Sequence, residues 1–308
     1  MNYSVKYTFR KKYQTLNITF QFKKFLFLLF SFIFLFITFI KFHSKICLCC
    51  IGKNENIYAK EYINHYKNLG YNHIYIYDNN DINGEQFSEV LSKEIKEGFI
   101  TIIDYRGKKE TAQKEAYYHC YRNYNKYYNW LSFFDFDEYL VIKNQSLNRF
   151  LNNNLFQKCQ TLKINWLNHI SDKELLYYEK KPLNIRFNIP NFKDYANIHI
   201  KSIVRGNLKF NYWEKYLNPH ASENNLISCS SSGKIIDSSS PFCNPPDFKY
   251  AFLKHFGRKS FEEYCYKLKR GWPIFINKYI FINDLIKKNI NNKQKLKIMR
   301  SIFNITNN

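Results

Sequence analysis

Beyond residue 41 the chain alternates short apolar runs, rich in β-branched and aromatic residues, with longer stretches of helical spacing. Ile46 to Ile51 reads as a buried strand. Asn54 to Leu69 reads as a helix, with Tyr58, Tyr62, Tyr66 and Leu69 on one face and Gly70 as its stop. His73 to Tyr77 predicts a second strand, ending at Asp78 before the turn-rich Asn79 to Gly84. Phe87, Val90, Leu91 and Ile95 mark a second helix closing at Gly98, followed by a strand from Phe99 to Ile103. A third helix, Thr111 to Tyr124, and a fourth strand, Trp130 to Phe134, complete the pattern. Strands joined by single helices imply right-handed crossovers, hence an α/β fold with a Rossmann-like, mostly parallel sheet flanked by helices.

From Lys143 the alternation breaks. Phe150 sits in a short helix, Thr161 to Trp166 and Ile198 to Val204 read as strands, and Ser228 to Pro246 as a loop or hairpin. Tyr250 to Leu253 predicts another strand, ending at His255. Ser260 and Glu263 match a capping box, and Gly271 with Pro273 ends the helix that it starts. With no repeat and no long linker, residues 47–272 are expected to form one domain, in halves 47–142 and 143–272, with a helical extension over 273–308.

Phe25 to Ile40 is an uncharged run, apolar but for Ser31 and Thr38, between Lys23-Lys24 and Lys41. At ~1.5 Å per residue it spans about 24 Å, short for an average bilayer but suited to a thin early-secretory one. No small-residue cleavage pattern follows it, so the expectation is a retained transmembrane signal-anchor over 25–41 rather than a cleaved signal peptide. Lys6, Arg10, Lys11, Lys12, Lys23 and Lys24 precede the run, and Lys41 and Lys45 follow it. The positive-inside rule therefore predicts a cytoplasmic tail over 1–24, a short stem over 42–46, and a lumenal remainder in the Golgi or ER: a single-pass type II topology. In such a lumen the eight cysteines can pair. Cys229 and Cys243, flanking the Ser/Gly/Pro-rich segment, are the expected disulfide, with Cys49 and Cys50 expected as buried thiols. Asn144 and Asn304 head lumenal glycosylation sequons, whereas Asn17 heads one facing the cytosol.

The 308 residues are 45% hydrophobic and 19% aromatic, which excludes a disordered chain. Lys+Arg of 47 against Asp+Glu of 25 gives +22, a balance that raises nucleic acid or an anionic membrane as a partner. The lysines are dispersed rather than gathered in a stripe, so a biased composition explains the charge and no nucleic-acid partner is expected. The excess still favours anionic substrates.

The densest chemistry lies in Phe133-Phe134-Asp135-Phe136-Asp137-Glu138-Tyr139, where an apolar strand delivers three carboxylates. If the strand continues, Asp135 and Asp137 share one side, with Phe136 and Glu138 on the other. Two close carboxylates call for a cation, and hard oxygen ligands suit Mn²⁺ or Mg²⁺ carrying phosphates. Beyond the carboxyl end of a strand is also where open α/β sheets bind ligands.

Cys50-Ile51-Gly52-Lys53-Asn54-Glu55, Glu61 to Tyr66, Leu69-Gly70, Ile74 to Asp78, Trp130 through Tyr139, Lys254-His255-Phe256, Lys259-Ser260 and Lys267…Arg270-Gly271 occur in this order. The series resembles glycosyltransferase family 92 and its family-2-like relatives over roughly Cys47 to Gly271. The resemblance implies a GT-A fold with an Asp-x-Asp motif, a nucleotide-sugar donor (a UDP-sugar foremost), a divalent metal (Mn²⁺ foremost), and transfer of a sugar such as galactose to glycan or glycoprotein acceptors with inversion. It makes 47–142 the nucleotide-binding half and 143–272 the acceptor-side half. Asp137 is then the direct metal ligand, Asp135 a ligand of metal or donor ribose, and His255 the C-terminal histidine that completes the metal's shell.

Asn54 and Glu55 are expected to hold base or ribose, or alternatively to cap the first helix. Asp78 resembles the family's nucleotide-contacting aspartate, or else starts an Asx-turn with Asn80. Lys201, Arg205, Lys267 and Arg270 are candidates for the diphosphate, the last two at i,i+3 on one helix face. Gln113 matches a polar family position, and Glu138 is read as a structural ion pair as readily as a functional group. The sequence Trp166-Leu167-Asn168-His169-Ile170 departs from the family pattern. An inverting transfer needs a base; Asp172, Glu174 and Asp237 are candidates and none is singled out. Two competing readings remain at this level: nucleotidyl or phosphoryl transfer, for which the Walker-type loop is missing, and a glycan-binding protein of the same fold without turnover.

Overall fold

The computed structural model describes residues 24–31, 44–108, 111–208, 218–221, 226–271, 285–289 and 291–304. The chain divides into two units, Met1–Ser44 and Lys45–Asn308. In the first, residues 24–31 are helical, while the rest of the Phe25 to Ile40 run, with Asn17, lies outside the described residues. Among the described residues no helix is long and apolar enough to cross a membrane. The expected signal-anchor over 25–41 is therefore not supported.

The second unit opens with β1 (Ile46–Gly52), α1 (Asn56–Leu69), β2 (His73–Asp78), α2 (Phe87–Val90), α3 (Ser92–Lys96), β3 (Ile100–Asp104), α4 (Ala112–Tyr124) and β4 (Trp130–Phe133). The single helix expected over Phe87 to Gly98 is thus two short ones, parted at Leu91. β3, β2, β1 and β4 lie side by side in that order, all parallel. Alternate residues of β1 feed opposite layers: Ile46, Leu48 and Cys50 join the core on one face, Cys47 and Cys49 that on the other.

Next come β5 (Glu138–Ile142), α5 (Leu147–Leu151), β6 (Thr161–Ile170), α6 (Leu183–Arg186), β7 (Ile189–Pro190) and β8 (Ile200–Arg205). The chain continues through β9 (Ser228–Cys229), β10 (Ile235–Ile236), β11 (Ala251–His255), α7 (Phe261–Arg270) and α8 (Lys293–Phe303). Here the mostly parallel expectation is corrected. β8 runs antiparallel to both β4 and β6, so the sheet is mixed. The ten-residue β6 pairs with β8 through Asn165 and then, from Trp166 to Asn168, with β11, which also pairs antiparallel with β5. One long strand thereby carries a second small sheet to the carboxyl end of β4.

The expected Cys229–Cys243 disulfide is also corrected. Cys229 is bonded to Cys159, and Cys243 is a free buried thiol. The reason is strand placement: β9 runs parallel beside β6 with Leu162 opposite Cys229, which brings the turn before β6 within reach. Cys49, expected as a thiol, is bonded to Cys120 of α4, while Cys50 is free and buried.

Candidate active site

β1 and β4 are neighbours whose connections leave in opposite directions, so their carboxyl ends flank the switch point at which such sheets bind ligands. At the end of β1, Gly52 faces aromatic rings. A Cβ there would lie 2.6 Å from Phe87 and 2.7 Å from Phe136. At the end of β4 the strand does not continue through the acidic motif as expected. It stops at Phe133, and residues 135–138 form a turn closed by Glu138 N–H donating to the Asp135 carbonyl at 3.0 Å. Phe136 pins this turn, buried against Tyr62 and stacked on Phe87, a burial worth on the order of 2 kcal/mol.

The tyrosine stripe of α1 holds the turn from below. Tyr62 donates to the Phe134 carbonyl at 3.1 Å and Tyr66 to the Glu138 carbonyl at 2.7 Å, while Tyr58 bonds Glu263 of α7. Glu263 also completes the expected capping box with Ser260 and accepts a bidentate pair from buried Arg186, at 2.6 and 3.0 Å. The helical spacing of three tyrosines thus fixes both the acidic turn and the start of α7 to one rigid helix.

Because the motif turns, its carboxylates face different partners. Asp135 accepts from Gln113 (2.7 Å), Tyr117 (2.9 Å) and the Lys201 ammonium (2.6 Å). Burial works to raise its pKa, and Lys201 overrides this, leaving the carboxyl below its ordinary value. Glu138 folds back instead of pointing to an opposite face: it accepts from Asp135 N–H at 2.8 Å and Trp166 Nε1 at 2.7 Å, with Lys201 at 3.6 Å. Burial, with Asp135 and Asp137 close by, raises its pKa. Glu138 is therefore a positioning group, and Lys201, fully buried, anchors two carboxylates rather than reaching into solvent.

Asp137 takes a different cation, Lys267 of α7, at 2.8 Å. Against burial, Lys267, His255 and Lys259 hold its carboxyl well below the usual range. His255 stands opposite Glu138 in the β5–β11 pair, and the next residue, Phe256, donates its N–H to the Asp137 carbonyl at 2.9 Å. The His255 ring lies flat on Trp166, centroids 3.9 Å apart, with Nδ1 2.6 Å from the Asn168 side-chain oxygen. Burial lowers its pKa to about 4, so it is neutral at pH 7. Gly257 allows this packing, since a Cβ there would come within 2.5 Å of the ring.

The other expected residues separate into three groups. Glu55 stands at the N-cap of α1 but its side chain makes no capping bond; the buried carboxylate pairs with Arg270 and Lys259, and Arg270 also bonds the Lys53 carbonyl. α7 is thus tied to the end of β1. Asn54 is exposed, left-handed (φ 55°), and held through its N–H by Asn80. Asp78 makes the Asx-turn with Asn80 and also accepts from Phe87 N–H, shaping the loop beside β1.

Arg205 is not brought to the site. Because β8 is antiparallel to β4, Arg205 pairs with Trp130 at the opposite end of the sheet, over whose ring it lies at 4.3 Å while bonding the Cys159 and Phe156 carbonyls. Lys201, four residues earlier, lies about 13 Å back along the strand, near Asp135. None of the base candidates contacts the site: Glu174 pairs with Lys295, Asp237 caps Ser239, and Asp172 accepts from Lys173 N–H.

Sequence reasoning gave no role to Lys259 or Asn168, and it missed Tyr117 and the rings of His199 and His220, which with His255 surround Trp166. Tyr117 had a signal, since it stands one helical turn after Gln113.

Of the three expected metal ligands, Asp135 does not suit the role, whereas Asp137 and His255 keep atoms that could bind a divalent ion. With Nδ1 donating to Asn168, the neutral imidazole presents Nε2 as a lone pair, the arrangement of a metal-binding histidine. One carboxylate and one imidazole suit Mn²⁺, with further positions left to water and phosphate oxygens. Both Asp135 oxygens are engaged by donors. Among the described residues no group of three or more His, Cys, Asp or Glu surrounds a common point, so substrate oxygens would complete any such shell.

The sequence matches no curated protein. Among solved structures, TarS 1–349 of S. aureus is similar at 10% identity over 84% of this chain and 71% of that chain, with a TM-score of 0.33. The same protein in complex with UDP-GlcNAc is similar at 13% identity, over 52% of this chain and 45% of that one, with a TM-score of 0.31. A putative glucose-1-phosphate thymidylyltransferase from Bacillus anthracis gives 12% identity over 53% and 70%, with a TM-score of 0.29. Likenesses this distant carry no functional argument. The model of glycosyltransferase family 92, by contrast, matches residues 43–228, more than half of the chain. The protein belongs to glycosyltransferase family 92 and is a glycosyltransferase.

Proposed function

We propose that this GT-A-type transferase takes a nucleoside-diphosphate sugar, UDP-linked, into the crevice between the carboxyl ends of β1 and β4 and passes the sugar to a hydroxyl of a glycan. The observation that carries this is the gathering, at the switch point, of Asp137 paired with Lys267 and Glu55 paired with Arg270, the two cations projecting from one face of α7. Cations beside a carboxylate are the complement of a diphosphate with its metal.

Asp137 and His255 would hold that metal, Mn²⁺ or Mg²⁺. When bound, it supplies Lewis-acid neutralisation of the leaving diphosphate. Lys267 and Arg270 add charge-assisted hydrogen bonds to the same oxygens. Asp135, fixed by Gln113, Tyr117 and Lys201, presents its partly exposed edge to the donor. The two disulfides support an oxidising, lumenal address. Galactose as the transferred sugar and inversion of configuration follow from the family resemblance.

A panel of nucleotide sugars, incubated with the purified protein and Mn²⁺, tests the reading through released nucleotide. One UDP-sugar is expected to give turnover well above the others. Equal background for every donor, with and without glycan acceptors, would refute it.

A further inference from the structure

Four carboxylates and four cations interlock at the site. Lys201 lies between Asp135 and Glu138, Lys259 and Arg270 hold Glu55, and Lys267 holds Asp137. With every group ionised, their formal charges cancel. The cations differ in how they are held. Lys201 and Lys259 are withdrawn from solvent, with side chains 0% and 7% exposed, whereas Lys267 keeps 24% exposure on the last turn of α7. Its ammonium sits at the end of a flexible four-carbon stem, a point charge that can be re-aimed without moving the backbone of α7. Asp137 has no such freedom, being buried in the turn that Phe136 and Phe256 fix.

A divalent ion at Asp137 must share that carboxylate with an ammonium 2.8 Å away, and like charges this close in a low-dielectric site repel. Metal alone would leave the cluster at about +2, and a diphosphate alone at about −2, on formal charges. Entering together, they restore balance, provided Lys267 changes partner. We propose that Lys267 is an exchangeable counter-ion: it holds Asp137 in the ligand-free protein and passes to the donor's diphosphate as the metal takes Asp137. Metal and nucleotide then bind as a coupled pair. This rests on the reading of Asp137 as a metal ligand, and it deepens that reading by assigning the order in which the charges are satisfied.

Binding equilibria test it without turnover. Mn²⁺ is titrated by electron paramagnetic resonance, and UDP by calorimetry, for the wild type and for Lys267→Met, with circular dichroism to verify folding. In the wild type, saturating UDP is expected to tighten Mn²⁺ binding by roughly 5-fold or more, and Mn²⁺ to tighten UDP binding by the same factor, as linkage requires. Lys267→Met should tighten Mn²⁺ binding in the absence of UDP by several-fold, weaken UDP binding in saturating Mn²⁺, and shrink the coupling. A lysine that served only the phosphates would leave Mn²⁺ binding without UDP unchanged, and that result, or a weaker one, overturns the exchange. Mn²⁺ and UDP that bind the wild type independently overturn it too, whatever the variant does. If UDP binds and Mn²⁺ does not bind even in its presence, the metal reading itself falls, an outcome distinct from failure of the exchange alone.

Discussion

Replacing Asp137 by asparagine should lower sugar transfer by about 10²–10³-fold while leaving the fold intact. The carboxamide is isosteric, and the backbone carbonyl that receives Phe256 N–H is untouched. Lys267 loses one anionic partner, and its side chain is partly exposed, so water can solvate the ammonium. What disappears is the negative charge that would hold a cation against the leaving diphosphate, an interaction needed most as charge develops in the transition state. The loss should therefore fall on kcat as well as kcat/KM. Near-normal turnover of Asp137→Asn at saturating Mn²⁺ would remove Asp137 from the mechanism.

Lys201→Met should have the largest effect on stability. Lys201 is fully buried and compensates Asp135 at 2.6 Å and Glu138 at 3.6 Å. Removing one member of a buried ionic cluster typically costs about 3–5 kcal/mol, which for a domain of this size lowers the Tm by on the order of 10 °C. The pH dependence has a definite sign. In the wild type the Asp135 pKa lies below its ordinary value, so Lys201 contributes stability that is present above that ordinary value and lost as pH falls through the folded pKa. In the variant the Asp135 pKa rises above its unfolded value and that of Glu138, already raised, rises further. The penalty is then full at neutral pH and shrinks as acid protonates the carboxylates. Melting curves at pH 7 and pH 5 check this. A loss that is small and equal at both would mean that Lys201 does not carry the cluster.

The first half of the domain was legible because period and punctuation agree there. Gly70, Gly98 and the tyrosine stripe of α1 mark real boundaries and a real buried face. The capping box at Ser260 was legible for the same reason: two side chains three residues apart satisfy two backbone donors locally. What failed depended on non-local pairing. Nothing in Ile200 to Val204 says which way β8 runs, so Lys201 and Arg205 looked equivalent until antiparallel pairing put them at opposite ends of the sheet. A lysine and a serine inside that apolar run were still a signal, since a buried strand keeps a charge only if a partner answers it.

The acidic motif was found but its shape was not. Alternation assumes extended backbone, and the chain turns at Phe136 because a ring between Tyr62 and Phe87 is better buried than displayed. Cysteine connectivity depends on strand adjacency, which spacing does not encode. The helices of the 143–272 half are short and its strands are shared between two sheets, so periodicity had little length over which to speak.

Diffraction from crystals grown with Mn²⁺ and UDP, with anomalous data collected at the manganese edge, tests the central claim most directly. The account predicts one strong anomalous peak bonded to Asp137 and His255 at about 2.0–2.2 Å, with diphosphate oxygens completing its shell and lying beside Lys267 and Arg270. Nucleotide bound elsewhere, or in this crevice with no anomalous density at Asp137, would contradict it.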